Sequence, residues 1–292
     1  MTTLAERYQA GERRQVWDEL VALGPAAYDD RWHADATAVA EATMQRVAAN
    51  IATVVERLNR MDYRFAVQYL RNQRAEEVRS GAYERRRARM VALGLDPSLI
   101  KEPVVEDDLN QFHYRWQPRQ GARGEGIERA ERICGPLPIS LRAMWSIVGD
   151  VALLGSFRSW VPSAFVFEDE IPWPAPGRHS APLDLSDEEA IFAYCVPGTD
   201  EIGSRYRDAA GRFGVTVGAD EIHGAGYSGG VHQVRIPDAV ADPVVDGVWG
   251  HEGIRLVEYL RLCFEWGGFP GFAEEDDVPA EIAVLREGLL AI

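Results

Sequence analysis

Apolar residues recur at intervals of three and four through much of the first hundred positions, and that spacing predicts helices. Residues 15–23 carry one such stripe, closed by Gly24-Pro25. A longer helix, with Asp35 or Thr37 as its cap, is predicted to run to about Asn59, with Val47, Ile51, Val54, Val55 and Leu58 on its inner face. Residues 61–65 break the pattern, residues 66–79 resume it, and residues 83–93 form a last, basic helix ending at Gly94 and Asp96-Pro97. The segment 101–126 is rich in acids, Gln, Arg and Gly, with a short strand or packing segment at 112–116, and is read as a connector.

Beyond residue 126 the pattern changes. Residues 127–134 predict a short helix, and Gly135-Pro136-Leu137-Pro138 turns the chain into a second helix at 139–148. That helix places Leu141, Met144, Trp145 and Val148 on one face. Residues 151–155 predict a buried strand, and further strands are expected at 164–167, 191–196, 215–217 and 231–236, separated by Pro, Gly and Asp clusters. Near the end, Leu256, Tyr259, Leu260 and Phe264 line one face of a closing helix. Gly267-Gly268 ends it, Pro270 prevents its resumption, and Trp266, Phe269 and Phe272 are placed to fold back as an aromatic clasp. A terminal helix is expected at 279–289, with Asp277 as a candidate cap. The predicted fold class is α+β: an antiparallel or mixed sheet flanked by helices, preceded by an all-helical N-terminal region. The expected organisation is a helical region 1–100, a connector 101–126 and an α+β domain 127–292.

Composition narrows the class of job. Hydrophobic residues at 46% and charged residues at 26% describe a globular chain rather than a disordered one. No apolar run approaches the roughly 18 residues of a membrane span, and residues 1–7 lack the apolar core of a signal peptide. Three widely spaced cysteines, Cys134, Cys195 and Cys263, fit buried thiols in a reducing cytoplasm better than a disulfide frame. Residues 1–100 hold 15 basic and 14 acidic residues, whereas the remainder holds 16 basic and 32 acidic. Such a field repels nucleic-acid backbones and anionic membranes and attracts a basic protein.

Two motifs bear on chemistry. Gly226-Tyr227-Ser228-Gly229-Gly230 fits the serine elbow G-x-S-x-G, and 224–229 fits G-x-G-x-x-G. Both need a strand leading into a helix, whose N-terminus stabilises an oxyanion or a pyrophosphate. The residues that follow, 231–237, predict a strand, so a glycine-rich turn is the favoured reading. The alternative is a hydrolase in which Ser228 is served by His251 and Asp246, or in which His223, His232 and His251 hold a metal. The spacing of those histidines matches no compact ligand signature, and no cofactor is expected. Lys101 is the only lysine, which excludes a P-loop. The 168–170 acids and the arginine cluster at 85–89 are read as solvated surface.

Glu131, Gly135, Leu137-Pro138, Ser140-Leu141, Trp145 and Val148-Gly149 together resemble the opening signature of the SUKH superfamily. Ser228-Gly229-Gly230 before a strand, then Leu256-Val257-Glu258-Tyr259-Leu260, resembles that family's last strand and closing helix. The resemblance covers about residues 127–272. It implies an α+β domain that works by binding another protein, as in bacterial immunity proteins that neutralise toxins and fungal regulators of cell-wall assembly. Contacts with a basic partner would then fall on Trp249, Glu265, Trp266, Phe269, Glu274, Glu275, Asp276 and Asp277. The helical first hundred residues and the 267–271 clasp depart from the family pattern, and a structural, oligomerising role for the N-terminal helices is a further alternative.

Overall fold

The computed structural model describes residues 2–61, 63–65, 82–92, 124–149, 151–153, 155–156, 184–185, 208–218, 232–248, 250–270 and 278–292. The fold is α+β, with helices first and short antiparallel strands after them.

Helix α1 (Leu4–Ala10) opens with a capping box, in which Thr3 accepts from the Glu6 amide and Glu6 accepts from the Thr3 amide. Gly11, at φ 110°, closes it. Helix α2 (Arg13–Leu23) buries Val16, Trp17 and Leu20, and a 3₁₀ turn (Gly24–Tyr28) leads into the 31-residue α3 (Asp30–Arg60). Along α3 the buried positions Val39, Ala40, Met44, Val47, Ile51, Val54 and Leu58 repeat the expected spacing, and Val55 is half-buried at the stripe's edge. The start of α3 differs from expectation. Asp29 precedes its first turn, and Asp35 lies inside it. The Asp35 carboxylate instead accepts from the amides of Leu4 (2.6 Å) and Ala5 (2.9 Å), so it caps α1 from a neighbouring helix.

Helix α4 (Ala82–Ala92) exposes Arg85, Arg87 and Arg89, as a solvated face would. Helices α5 (Gly124–Cys134) and α6 (Ile139–Ile147) flank the Gly-Pro-Leu-Pro turn, with α5 beginning inside the expected connector. The buried strand predicted at 151–155 is two short strands with different partners. β2 (Val151–Ala152) pairs with β4 (Asp184–Leu185), whereas β3 (Gly155–Ser156) pairs with β1 (Arg64–Phe65), all antiparallel. β5 (Phe213–Gly218) and β6 (His232–Ile236) form an antiparallel pair with a register shift between Thr216 and Gly218, and β7 (Val245–Asp246) joins the other edge of β6. On β6, His232, Val234 and Ile236 face inward while Gln233 and Arg235 alternate outward. Helix α7 (Leu256–Glu265) and the terminal α8 (Ala280–Arg286) complete the described elements. The strands expected at 164–167 and 191–196, the segment 112–116, the helix over 66–79 and the glycine-rich turn at 224–230 lie outside the described residues.

One apolar cluster runs from Leu4 in α1 to Ile292, so the helical N-terminal region and the α+β region share a core. α3 lies against α6 and also takes the C-terminal segment. Asn50, 1% exposed, donates to the Leu290 carbonyl (2.9 Å) and accepts from the Leu290 amide (2.7 Å). Arg57 donates to the carbonyls of Val284 and Leu285, which close α8 against the same helix. Tyr28 donates to the Leu137 carbonyl and Tyr63 to the Leu153 carbonyl (2.6 Å). The turn after α7 sits at this junction. Gly267, at φ 62°, has no room for a side chain: a Cβ there would lie 2.6 Å from the Leu285 Cβ. Phe269, 1% exposed, packs edge-on against Tyr63, with ring centroids 5.9 Å apart.

Candidate functional site

Among the described residues, those singled out in the sequence are dispersed. Phe269 belongs to the core rather than to a contact surface, because its ring is buried beside Tyr63. Glu265 is exposed at the end of α7 and Trp266 next to it is half-buried against the core. Trp249 and the acids Glu274, Glu275, Asp276 and Asp277 lie outside the described residues, as do Ser228, His223 and Phe272. Asp246 is committed elsewhere: its carboxylate accepts from Arg235 (3.0 Å) across the β6–β7 pair. His232 is buried edge-on to Tyr259, with centroids 5.5 Å apart, while His251 is half-buried in the turn before α7. Gly218 makes that ring pair possible, since a Cβ there would lie 2.2 Å from the Tyr259 hydroxyl and 2.8 Å from His232. Among the described residues no three His, Cys, Asp or Glu side chains are grouped to hold a metal ion. No helix among them is long and apolar enough to cross a membrane.

Buried polar chemistry collects instead at two places. The first is Asp242, 2% exposed, between the starts of α6 and α7. The amides of Ile139 and Ser140 donate to the carbonyls of Val240 (3.0 Å) and Ala241 (2.9 Å). The Ser140 hydroxyl donates to Asp242 Oδ1 at 2.6 Å, and the Val257 amide reaches both carboxylate oxygens at 3.3 and 3.2 Å. Arg255 donates to the Asp242 main-chain carbonyl (2.6 Å), and the Leu256 amide to that of Pro243 (3.0 Å). One loop thus supplies the acceptors that two helix N-termini lack. Burial pushes the Asp242 carboxyl up to about 6, against the pull of the Ser140 and Val257 hydrogen bonds and of the Arg255 and Arg261 charges. Ser140 and Asp242 are both sealed from solvent, so the pair acts as a cap that fastens two helices.

The second place lies where α1, α2, α3 and α7 meet the last residues. Tyr8 is 1% exposed, and the guanidinium groups of Arg46, Arg13 and Arg261 all bear electrostatically on its hydroxyl. Burial nonetheless raises its pKa, because desolvation of a phenolate outweighs those charges. The Thr43 hydroxyl beside it is engaged, donating to the Val39 carbonyl (2.9 Å) and accepting from Trp17 Nε1 (3.0 Å). No hydrogen bond of ordinary geometry joins it to Tyr8. Arg46 Nε donates to the Ala291 carbonyl (2.5 Å) and Arg261 Nε to a main-chain oxygen of the adjacent Ile292 (2.8 Å). Glu258 accepts from Arg261 Nη1 (2.7 Å) and Arg14 (2.5 Å).

Neither place carries a local sequence signature. Ser140 falls within the quoted Leu-Pro motif, but nothing there points to Asp242, 102 residues later. The arginines at positions 13, 46 and 261 meet only through packing. Comparison with protein-family models, with curated proteins and with solved structures finds no match.

Proposed function

We propose that this chain works by binding another protein, that the partner is basic, and that the role is that of a toxin-neutralising immunity protein of the SUKH kind. The observation that carries the reading is the order of elements around the Leu137-Pro138 turn. Two helices flank that turn, an antiparallel β5–β6–β7 sheet follows, and a closing helix, α7, is fastened back onto the start of α6 through Asp242. The resemblance draws on residues in α5, in α6 and in α7, which supports the reading. The charge distribution supports a basic partner, since residues 101–292 hold 32 acidic against 16 basic residues. Opposite charge speeds encounter and rejects acidic competitors.

The contact surface in this reading centres on Glu265 and Trp266 at the end of α7, with Trp249 and the 274–277 acids as further members. Phe269 leaves the set because it is core. The N-terminal helices share the core of the α+β region, so the binding unit is the whole chain rather than residues 127–272 alone.

The test is affinity capture from the native cell with the intact chain as bait, followed by titration of the purified partner at low and high salt. The reading expects a basic protein whose association slows as salt rises, and weaker capture by Glu265→Lys. Turnover in a hydrolase panel that is abolished by Ser228→Ala, with no basic partner recovered, would refute it.

A further inference from the structure

Helix α4 stands apart from the core that organises the rest of the chain. No other described element packs along it, and Met90 is its one half-buried side chain among those described. Arg85, Arg87, Ala88, Arg89 and Ala92 are exposed, and Val91, 61% exposed, is the barest large apolar residue among the described ones. At about 3.6 residues per turn, Ala88, Val91 and Ala92 share one face. Arg87 flanks that face on one side, Arg85 and Arg89 on the other. Arg85 and Arg89 stand one turn apart, a like-charge spacing that weakens a solitary helix, and a helix this short is marginal alone. Residues 82–92 hold four arginines and one glutamate in a chain whose net charge is −15. A bare apolar strip between arginines fits a surface that is apolar at its centre and acidic around it. The same chain carries such a surface. At the end of α7 the exposed Glu265 adjoins the half-buried Trp266, in the part of the sequence with 32 acidic against 16 basic residues. The carboxyl end of α7 adds the negative pole of its dipole there.

We propose that α4 docks on the α7 end of a second copy of this chain, laying Ala88, Val91 and Ala92 against Trp266 with Arg87 and Arg89 beside Glu265. This deepens the protein-binding reading and rests on it for the acceptor surface. A basic helix of the chain itself occupies the place assigned to the basic partner, so self-association and partner capture compete. A Debye length of about 8 Å at about 0.15 M salt screens the mutual repulsion of two acidic chains, while groups in contact still attract. A phosphate backbone would satisfy the arginines but gives the apolar strip nothing to bury, so a protein surface is the better complement. The strip also has no Leu, Phe or Trp to sink into a membrane.

The experiment is sedimentation velocity of the full chain over a range of concentrations, at about 0.15 M and about 0.6 M salt. The wild type is expected to gain mass with concentration, and less so at the higher salt. Arg87→Glu combined with Arg89→Glu should weaken association by about tenfold or more, since like charges then meet. Glu265→Lys should do the same. Mixing these two proteins should restore association, because each supplies the surface that the other has lost. Arg142→Gln should associate as the wild type does, because Arg142 pairs with Glu131 elsewhere in the fold. Circular dichroism checks that each variant folds, and Val91→Asp takes the place of the double variant if that one is unfolded. A wild type that stays a single chain at every concentration overturns the proposal and leaves capture of a basic partner to stand or fall by its own test. Association untouched by Glu265→Lys or by the α4 variant also overturns it, as does a single chain that instead binds duplex DNA or phosphatidylserine vesicles through Arg87 and Arg89.

Discussion

Replacing Asp242 by asparagine removes an ionisable group while keeping an oxygen for Ser140 and Val257. Its carboxyl titrates near 6 in the folded protein against an ordinary value of 3.8. The folded state therefore holds a proton that the unfolded state has released between those two values, so stability falls as pH rises through that window. A shift of about 2 pH units at roughly 1.36 kcal/mol per unit makes ionised Asp242 cost about 3 kcal/mol at pH 7.5. At pH 5 the unfolded carboxyl is still mostly ionised and the folded one mostly neutral, which leaves a cost of about 1.6 kcal/mol. Asparagine imitates the neutral form at every pH. The wild type should thus gain about 1.4 kcal/mol on the Asn variant when the pH drops from 7.5 to 5. Urea unfolding of both proteins at the two pH values measures this, and the difference between them cancels the titration of every other group. Asp242→Ala is the companion variant. It strands the Ser140 hydroxyl and the Val257 amide and should lose about 2–4 kcal/mol at pH 5. A flat difference between wild type and Asn variant, or one favouring the wild type at the higher pH, would refute the argument.

Other perturbations test the joints between the two halves. Asn50→Ala leaves the Leu290 amide and carbonyl without their partner and should cost about 2–4 kcal/mol in urea unfolding, with faster amide exchange at Leu290. Gly267→Ala combines a left-handed backbone with a collision at Leu285. It should cost about 2–5 kcal/mol, read as a lowered thermal midpoint, whereas Gly211→Ala, where a Cβ meets open space, pays the backbone cost alone. The Cys263 thiol is pushed by burial up to about 12. It should stay unmodified when the native protein is alkylated at pH 8 and react once the chain is unfolded, as peptide mass mapping would show.

Much of the helical architecture was legible in advance because helices write a period into the chain. The stripe on α3 and the faces of α6 and α7 are local patterns, and their burial follows. Helix α1 was not legible, since seven residues with Leu4 and Tyr8 as their buried positions make too short a stripe. In the sequence Asp35, like Thr37, reads as a cap for the long helix. It is a cap, but of a helix 30 residues earlier, and only tertiary packing could say so. The 151–155 run failed as a single strand for a related reason. Its apolar content marks burial, while the exchange of partners between β2 and β3 depends on chains at 64–65 and 184–185. The candidate sites fared differently from the helices, because partners such as Ser140 and Asp242 are assembled from distant positions without a local pattern. Phe269 shows the limit from the other side: an aromatic residue in a Gly-Pro loop has the composition of an interface anchor, yet the positive-φ glycines before it turn it inward against Tyr63.

The embrace of α3 by the final residues has a consequence for synthesis. The partners Asn50 and Leu290 are 240 residues apart, so on a ribosome adding about 5–20 residues per second the flank of α3 that carries Asn50 waits roughly 10–50 s for its cover. Through that interval Asn50 and its apolar neighbours are available to chaperones. A stop codon anywhere before position 284 would make the wait permanent, turning the shortened product into a client for degradation.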